Sequence, residues 1–324
     1  MKFNFVIIIV LLLINNSIAQ TCCSGGIPLS NSIGLPILEK GTTQIGINYD
    51  YNNLNTLNSG SEKLNDNARL RITHSVLLNF NYAISNRLAV EGLFTWVNQR
   101  RKISQFGNKN IDETSGIGDA IALIKYNFGD FLGENSNFNV GFGTKIPLGS
   151  STKKTSGGIT LSADLQPGSN AWDFIYYTAF SKSLNFRPSL SVSSRLIYRN
   201  TGTNPSYFGD TKYKFGNEIQ FFLSFSDQFI WLKTVTSPSM SFKYRNAQQD
   251  KIGGFNIEST GGNWVSIIPN FSIKISSNLQ FSTKIEIPIY SNVIGTQLTP
   301  TYRLTSGILY TIAPKNEIIN ILKN

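Results

Sequence analysis

The sequence predicts an all-β fold, a closed antiparallel transmembrane β-barrel of about 12 strands. Three observations predict it. Long stretches alternate between apolar and polar residues. The chain opens with an export signal. The links between strands alternate between short and long. Alternation with period two separates the two faces of a strand. Ordinary strands have about 5–6 residues, whereas ~9–11 tilted residues cross a bilayer.

The N-terminus comes first. Lys2 is basic, Phe5–Ile14 is apolar throughout, and Ser17-Ile18-Ala19 places small residues where a signal peptidase cuts. The apolar run is too short to span a bilayer as a helix, so residues 1–19 read as a signal peptide cleaved after Ala19. A lipid anchor on Cys22 fits poorly because Thr21 precedes it. No later stretch has the ~18 apolar residues of a membrane helix. Residues 20–41 carry Gly25, Gly26, Pro28, Gly34 and Pro36 without alternation, which predicts an irregular leader or a plug. Cys22 and Cys23 are adjacent and cannot staple distant segments. With a single histidine in the chain, a Cys/His metal site lacks ligands.

The predicted barrel covers 42–312, followed by a tail at 313–324. Its first strand, about 42–51, sets Ile45 and Ile47 against Gln44, Gly46 and Asn48. A tall hairpin over 69–104 is the clearest signal. Leu70, Ile72, Val76, Leu78, Phe80 and Tyr82 share one face, and Arg69, Arg71, Thr73, Ser75, Asn79 and Asn81 the other. After a turn at Ser85-Asn86 the pattern resumes, with Leu88, Val90, Phe94 and Trp96 opposite Glu91 and Thr95. Strand four, about 117–128, turns Asp119 and Lys125 away from Ile124 and Tyr126. Strand five sets Phe138, Val140 and Phe142 against Asn139, Gly141, Gly143 and Lys145.

The longest loop, about 148–170, precedes strand six at about 171–182. Strands seven and eight are expected over about 187–199 and 212–226. Strand nine, about 228–246, contains Pro238; proline cannot donate to the ladder, which predicts a bulge there. Strands ten, eleven and twelve follow at about 263–275, 278–290 and 301–312. Links after even strands are short and those after odd strands longer and polar, the asymmetry of bacterial outer-membrane barrels. Tyr49, Tyr51, Tyr82, Trp96, Tyr126, Trp172, Tyr198, Tyr244 and Tyr310 lie toward strand ends, as an aromatic girdle does.

The net charge of +10 is spread over many strands, mostly at polar-face positions. There is no basic helix and no nucleic-acid signature. The inward face is expected to carry Arg69, Arg71, Glu91, Asp119, Lys125, Lys145, Arg195, Lys214, Glu218, Lys243, Lys274, Lys284, Glu286 and Arg303. They form either a conduit for polar or anionic solutes or a sealed lumen of mutually paired groups. No residue set supports catalysis, a cofactor or a metal. Glu91 and Glu286 act together only if the barrel brings them together. Outer-membrane phospholipases use a lipid-facing His with a Ser two positions later; after His74 that position is Val76, and Ser75 points to the other face. Without a nucleophile in reach, acyl hydrolysis has no mechanism. The loop Asp164–Asp173 is either an inward gate or a surface loop with a Pro-Gly turn.

Gly116-Ile117-Gly118-Asp119, Lys125-Tyr126, Pro147-Leu148-Gly149 and Gln166-Pro167-Gly168-Ser169, leading into Trp172-Asp173, resemble the outer-membrane barrels grouped as the MetA-pathway of phenol degradation. These are similar in turn to long-chain fatty-acid (FadL-like) channels. The leader CysCysSerGlyGly and the segment LeuGlnProGlySer resemble the form found in Bacteroidetes. The resemblance covers about 20–312. It implies a bacterial outer-membrane location and uptake of small, often hydrophobic molecules. Unlike many such barrels, the chain continues past Tyr310 to Asn324, and its leader is shorter than the plug of fatty-acid channels. The expected partners are outer-membrane lipids and a small-molecule solute, with no nucleic acid. The expected function is passive transport; the alternative is a closed structural or partner-binding barrel.

Overall fold

The computed structural model describes residues 20–21, 33–105, 107–130 and 133–314. The predicted signal peptide, Cys22, Cys23 and the tail from 315 onward lie outside the described residues. Twelve antiparallel strands form the wall: β1 (Thr43–Ser59), β2 (Arg69–Ala83), β3 (Leu88–Gln105), β4 (Ala120–Asn127), β5 (Ser136–Ile146), β6 (Asp173–Leu184), β7 (Arg187–Asn200), β8 (Glu218–Ser226), β9 (Thr234–Ala247), β10 (Gly262–Lys274), β11 (Leu279–Val293) and β12 (Thr296–Ile312). Each pairs with the next, and β12 returns to β1 from Thr43↔Ile312 to Ser59↔Thr296. The sheet therefore closes. Closure is what hydrocarbon demands, because an open edge would leave backbone N–H and C=O groups without partners.

The alternation sets the two faces as predicted. In β2, Arg71, Ser75, Asn79 and Asn81 are buried in the interior, while Val76, Leu78, Phe80 and Tyr82 are exposed on the outer surface. Trp172, Tyr198 and Tyr244 are exposed toward the long-loop end and Tyr82, Tyr126 and Tyr310 toward the other, while Tyr49 and Trp96 are exposed between them, flanking Val76. Two aromatic belts at these levels match the two interfaces of a bilayer.

Short links gather at one end. Residues 84–87, 185–186 and 275–278 join β2–β3, β6–β7 and β10–β11. In the first, the Ser85 hydroxyl accepts from the Arg87 and Leu88 amides at 3.2 and 3.0 Å, closing a tight turn. At the opposite end, Asn108–Ile117 pairs with β3 and lengthens that hairpin. The long β5–β6 link folds into the barrel. The β7–β8 and β9–β10 links build a separate four-stranded sheet from Thr203–Phe208, Thr211–Lys214, Lys251–Ile252 and Phe255–Asn256.

Three expectations are corrected. The link between β11 and β12 is only Ile294-Gly295, because both strands run further than their polar ends suggest. Those polar side chains find partners within the protein: Gln297 Nε2 donates to the Gly261 carbonyl at 2.7 Å, and Thr299 Oγ1 to Asn58 Oδ1 at 2.8 Å. Pro238 causes no bulge, and β9 keeps an unbroken register against β10. The Pro238 carbonyl accepts from Asp227 N, just beyond the end of β8, so the missing donor falls where the neighbouring strand has ended. The wall bulges instead near Pro288, between the pairs Ser266↔Pro288 and Val265↔Tyr290. Finally, predicted strand eight splits at Phe215–Asn217. Gly216 passes so close to the Gln248 backbone that a side chain would collide with it, and its amide donates to Asp250 at 2.8 Å.

Candidate functional site

The lumen is built in tiers, and the outermost is a knot of loop backbone. Asp119 precedes β4 and is fully buried. Its carboxylate accepts from the amides of Gly149 at 3.1 Å and Ser169 at 3.0 Å, and from the Ser169 hydroxyl at 2.7 Å. Gly149 and Gly168 cross at backbone distance; a Cβ on Gly149 would fall 2.7 Å from Gly168 Cα. Gln166 accepts from the Lys153 amide and donates to the Lys153 carbonyl, both at 2.9 Å. From the wall, Gln99 and Thr114 donate to the Leu165 carbonyl at 3.2 and 2.6 Å. Arg71 pairs with Asp164 at 2.9 Å. Asp119, Gly149 and the Gln166–Ser169 segment, which carry part of the family resemblance, thus meet in three dimensions, and they hold the β5–β6 loop inside the barrel.

Below the knot runs a chain of charges across adjacent strands. Lys145 on β5 lies 3.2 Å from Asp119 and 3.0 Å from Asp173 at the start of β6. Arg199 on β7 lies 3.7 Å from both Asp173 and Glu218 of β8. Arg245 on β9 reaches Glu218 at 2.8 Å, and its guanidinium lies over Trp264 at 4.5 Å. Two further pairs, Lys243–Glu286 at 2.9 Å and Arg303–Asp50 at 2.8 Å, line the β9–β12 and β1 side. In a low-dielectric interior a charge without a partner is costly, and alternating signs remove that cost.

The third tier is apolar. Leu77, Leu93, Ile121, Leu123, Ile175, Tyr177, Ile197, Phe222 and Ile268 point inward and pack into one buried cluster with Ile33. They come from β2, β3, β4, β6, β7, β8 and β10; among the described residues β1, β5, β9, β11 and β12 contribute none. The lumen is therefore apolar on one side and keeps a polar strip on the other. The sequence reading placed apolar groups outside only. The available signal was local: Val76-Leu77-Leu78, Ile175-Tyr176-Tyr177, Leu196-Ile197-Tyr198 and Phe221-Phe222-Leu223 break an alternating pattern with consecutive apolar residues.

Ile33 arrives on an N-terminal segment that enters from the short-turn end. The Glu91 carboxylate accepts from the Gly34 amide at 2.9 Å and the Leu35 amide at 3.4 Å, and pairs with Lys125 at 2.7 Å. Lys125 also donates to the Leu35 carbonyl, Arg195 donates to the Ile33 carbonyl at 2.9 Å, and Asn81 to the Pro36 carbonyl at 3.1 Å. Gly34, at φ +100°, turns the segment against Tyr177, where a side chain would clash with the phenol. Between this segment and the wall lies a vestibule of about 440 Å³, lined by serines, asparagines, Lys125, Arg195 and Lys284.

Of the inward residues named from sequence, Arg71, Glu91, Asp119, Lys125, Lys145, Glu218 and Lys243 are buried inside the barrel. Arg195, Lys284, Glu286 and Arg303 sit on the inner face of β7, β11 and β12 and are partly exposed. Arg69 lies at the outer rim, 3.2 Å from Asp66. Lys274 is exposed at the short-turn end. Lys214 belongs to the outer four-stranded sheet, not to the wall, because of the break at Gly216. Glu91 and Glu286 have separate partners, Lys125 and Lys243. His74 is on the outer surface, its Nδ1 2.6 Å from the Tyr49 hydroxyl and its ring edge-on to Tyr51, whereas Ser75 is buried inside. Alternation along strand seven turns Arg199 inward with Arg195, as found, whereas no local pattern marks Asp173; both belong to the charge chain.

A closed twelve-stranded sheet with an apolar outer face and a partly hollow interior is a fold also found in an outer-membrane channel. The chain belongs to the family described as "Putative MetA-pathway of phenol degradation", which matches residues 47–293. It is similar to an outer membrane channel from Pseudomonas putida F1, with 15% identity, a TM-score of 0.67, and coverage of 88% of this chain and 100% of that one. Weaker likenesses are to the β domain of the Bordetella autotransporter BrkA (8% identity, TM-score 0.46, 84% and 100% covered) and the transport unit of the Escherichia coli autotransporter AIDA-I (11%, 0.46, 86% and 92%). No curated protein sequence matches the chain.

Proposed function

We propose that this protein is a bacterial outer-membrane channel for passive movement of a small solute, exported by residues 1–19 as a signal peptide. The vestibule of about 440 Å³ carries the reading, since a barrel filled only for stability has no reason to keep such a space. It adjoins the polar strip of β9, β11, β12 and β1, where Lys284, Lys243, Glu286, Arg303 and Asp50 line the inner wall. The solute passes when the Gly34–Pro36 segment and the β5–β6 loop give way. Membership in the family and the resemblance to FadL-like channels of Bacteroidetes support uptake of a small molecule. No catalytic constellation accompanies the lumen among the described residues.

A second reading, a sealed barrel acting through its loops, is favoured by the paired charges from Asp119 to Arg245. Planar-bilayer recording of the refolded protein under a salt gradient, with liposome swelling alongside, separates the two. Small openings that prefer anions are expected. A folded barrel that passes neither current nor neutral sugars sinks the channel reading and leaves the sealed barrel.

A further inference from the structure

We infer that the vestibule is a binding site for a neutral cyclic polyol, a monosaccharide being the representative ligand. As a site on a transport path it rests on the channel reading above. Two rows of small neutral polar side chains in the strand register carry the inference. Asn137, Ser181, Ser193, Ser224 and Ser241 stand side by side on β5 to β9. One step nearer the short turns, Ser191, Ser226, Ser239 and Asn270 do the same on β7 to β10. All but Ser191 and Ser226 line the cavity of about 440 Å³, a volume within the range of small-molecule sites. The next row toward the long loops holds Arg195, Phe222 and Lys243, whose bulk fills the lumen. The space therefore exists where the sequence changes from large side chains to serine.

The rows are also preset for hydrogen bonding. The Ser224 and Ser241 hydroxyls lie 2.7 Å apart, as do those of Ser191 and Ser226, and Asn270 Nδ2 donates to Ser239 Oγ at 3.0 Å. A hydroxyl has one donor and two acceptor positions. Each serine is thus held by a neighbour and keeps capacity for an occupant. Charge is already accounted for at this level. Lys125 pairs with Glu91 at 2.7 Å, Arg195 donates to the Ile33 carbonyl at 2.9 Å, and Lys284 has interactions of its own within the barrel. An occupant accordingly meets hydroxyls and amides. Tyr177, Phe222 and Ile268 cap the vestibule as the underside of the apolar cluster, a surface suited to the C–H face of a sugar ring. A site built to bond hydroxyls discriminates against an analogue that lacks them.

The test is saturation-transfer NMR titration of the folded full-length protein in a sugar-free detergent. The probes are glucose, glucuronate, which adds a carboxylate to the same ring, and cyclohexanol, which keeps one hydroxyl. Glucose is expected to bind at least about fivefold more tightly than cyclohexanol, and glucuronate no more tightly than glucose. Replacing Ser193, Ser224 and Ser241 together by alanine should weaken glucose at least about fivefold, with folding checked by the heat-dependent gel mobility of barrels. The probe series uses the unaltered protein and stands whatever the variant does. A smaller preference over cyclohexanol overturns the proposal in favour of an apolar site, and tighter binding of glucuronate overturns it in favour of an anion site. Unchanged glucose affinity in the folded triple variant overturns it as well. Liposome swelling in glucose keeps the two readings apart. Swelling without saturable binding removes the polyol site and leaves the channel. Binding without swelling upholds the site and removes the channel.

Discussion

Arg71 and Asp164 form a buried ion pair of 2.9 Å between a wall strand and the loop that fills the outer lumen. Arg71 also donates to the Asp164 carbonyl and to Gln99. One guanidinium thus fixes both the side chain and the backbone of the loop turn at Ala163–Leu165.

Arg71→Ala strands Asp164 as a buried charge, a loss of ~3–5 kcal/mol for such a site. The loop is expected to leave the lumen, seen as larger or more frequent conductance openings with a lower unfolding temperature. Replacing both partners by apolar residues, Arg71→Met with Asp164→Leu, should recover most of the stability. Equal damage in single and double variants would show that the pair does not hold the loop.

Glu91→Gln removes the charge that faces Lys125 and the Gly34 and Leu35 amides. The N-terminal segment should dock less firmly, and tryptic cleavage after Lys40 should accelerate about tenfold, equivalent to ~1.4 kcal/mol. An unchanged cleavage rate in a folded variant would mean that Arg195 and Asn81 suffice to hold it.

The outer face can be tested at Leu78, which is exposed although it lies in the middle of β2. Leu78→Arg should cost ~2–4 kcal/mol in lipid, the value for a cation near the bilayer midplane. Urea unfolding from vesicles measures it. A neutral effect would place this face in water.

Asp250, beneath the outer sheet, is pushed up by burial despite donors at Tyr213 Oη (2.6 Å) and Gly216 N (2.8 Å). A folded carboxyl that holds its proton more tightly than the unfolded one stabilises at low pH. That contribution is lost as pH rises from the ordinary carboxylate value, ~4, through the raised one. Asp250→Asn should abolish this fall, so the variant gains on the wild type as pH increases. Unfolding temperatures across acid to neutral pH give the comparison, and parallel curves would refute the assignment.

The fold was legible because lipid imposes a simple rule. Leu78 and Phe80 must face hydrocarbon while Asn79 and Asn81 need not, and the period survives in the sequence. The interior obeys no such rule. Leu77 and Phe222 point inward because the lumen is partly filled by an apolar cluster, which alternation alone does not anticipate. Asp119 was visible as an inward charge, but its partners Gly149, Ser169 and Lys145 lie tens of residues away. Only the pairing of β4 with β5 and the infolding of the β5–β6 loop bring them together. The ends of β11 and β12 were misread because Gln297 and Thr299 are polar residues that bond to the β9–β10 link and to β1, a choice no local pattern encodes.

The charge chain from Asp119 through Lys145, Asp173, Arg199 and Glu218 to Arg245 crosses six consecutive staves of the wall. Its consequence is for assembly fidelity. Lys145 stands opposite Asp173, and Arg199 opposite Glu218, in the strand register itself. A slip of one residue at either seam would turn a charge outward at the level of the long-loop aromatic belt, where a cation in lipid costs up to ~1 kcal/mol. A slip of two would keep the faces but set unlike partners apart. The same side chains that crowd the interior therefore act as a proofreading code for the order and register in which the barrel is sewn shut.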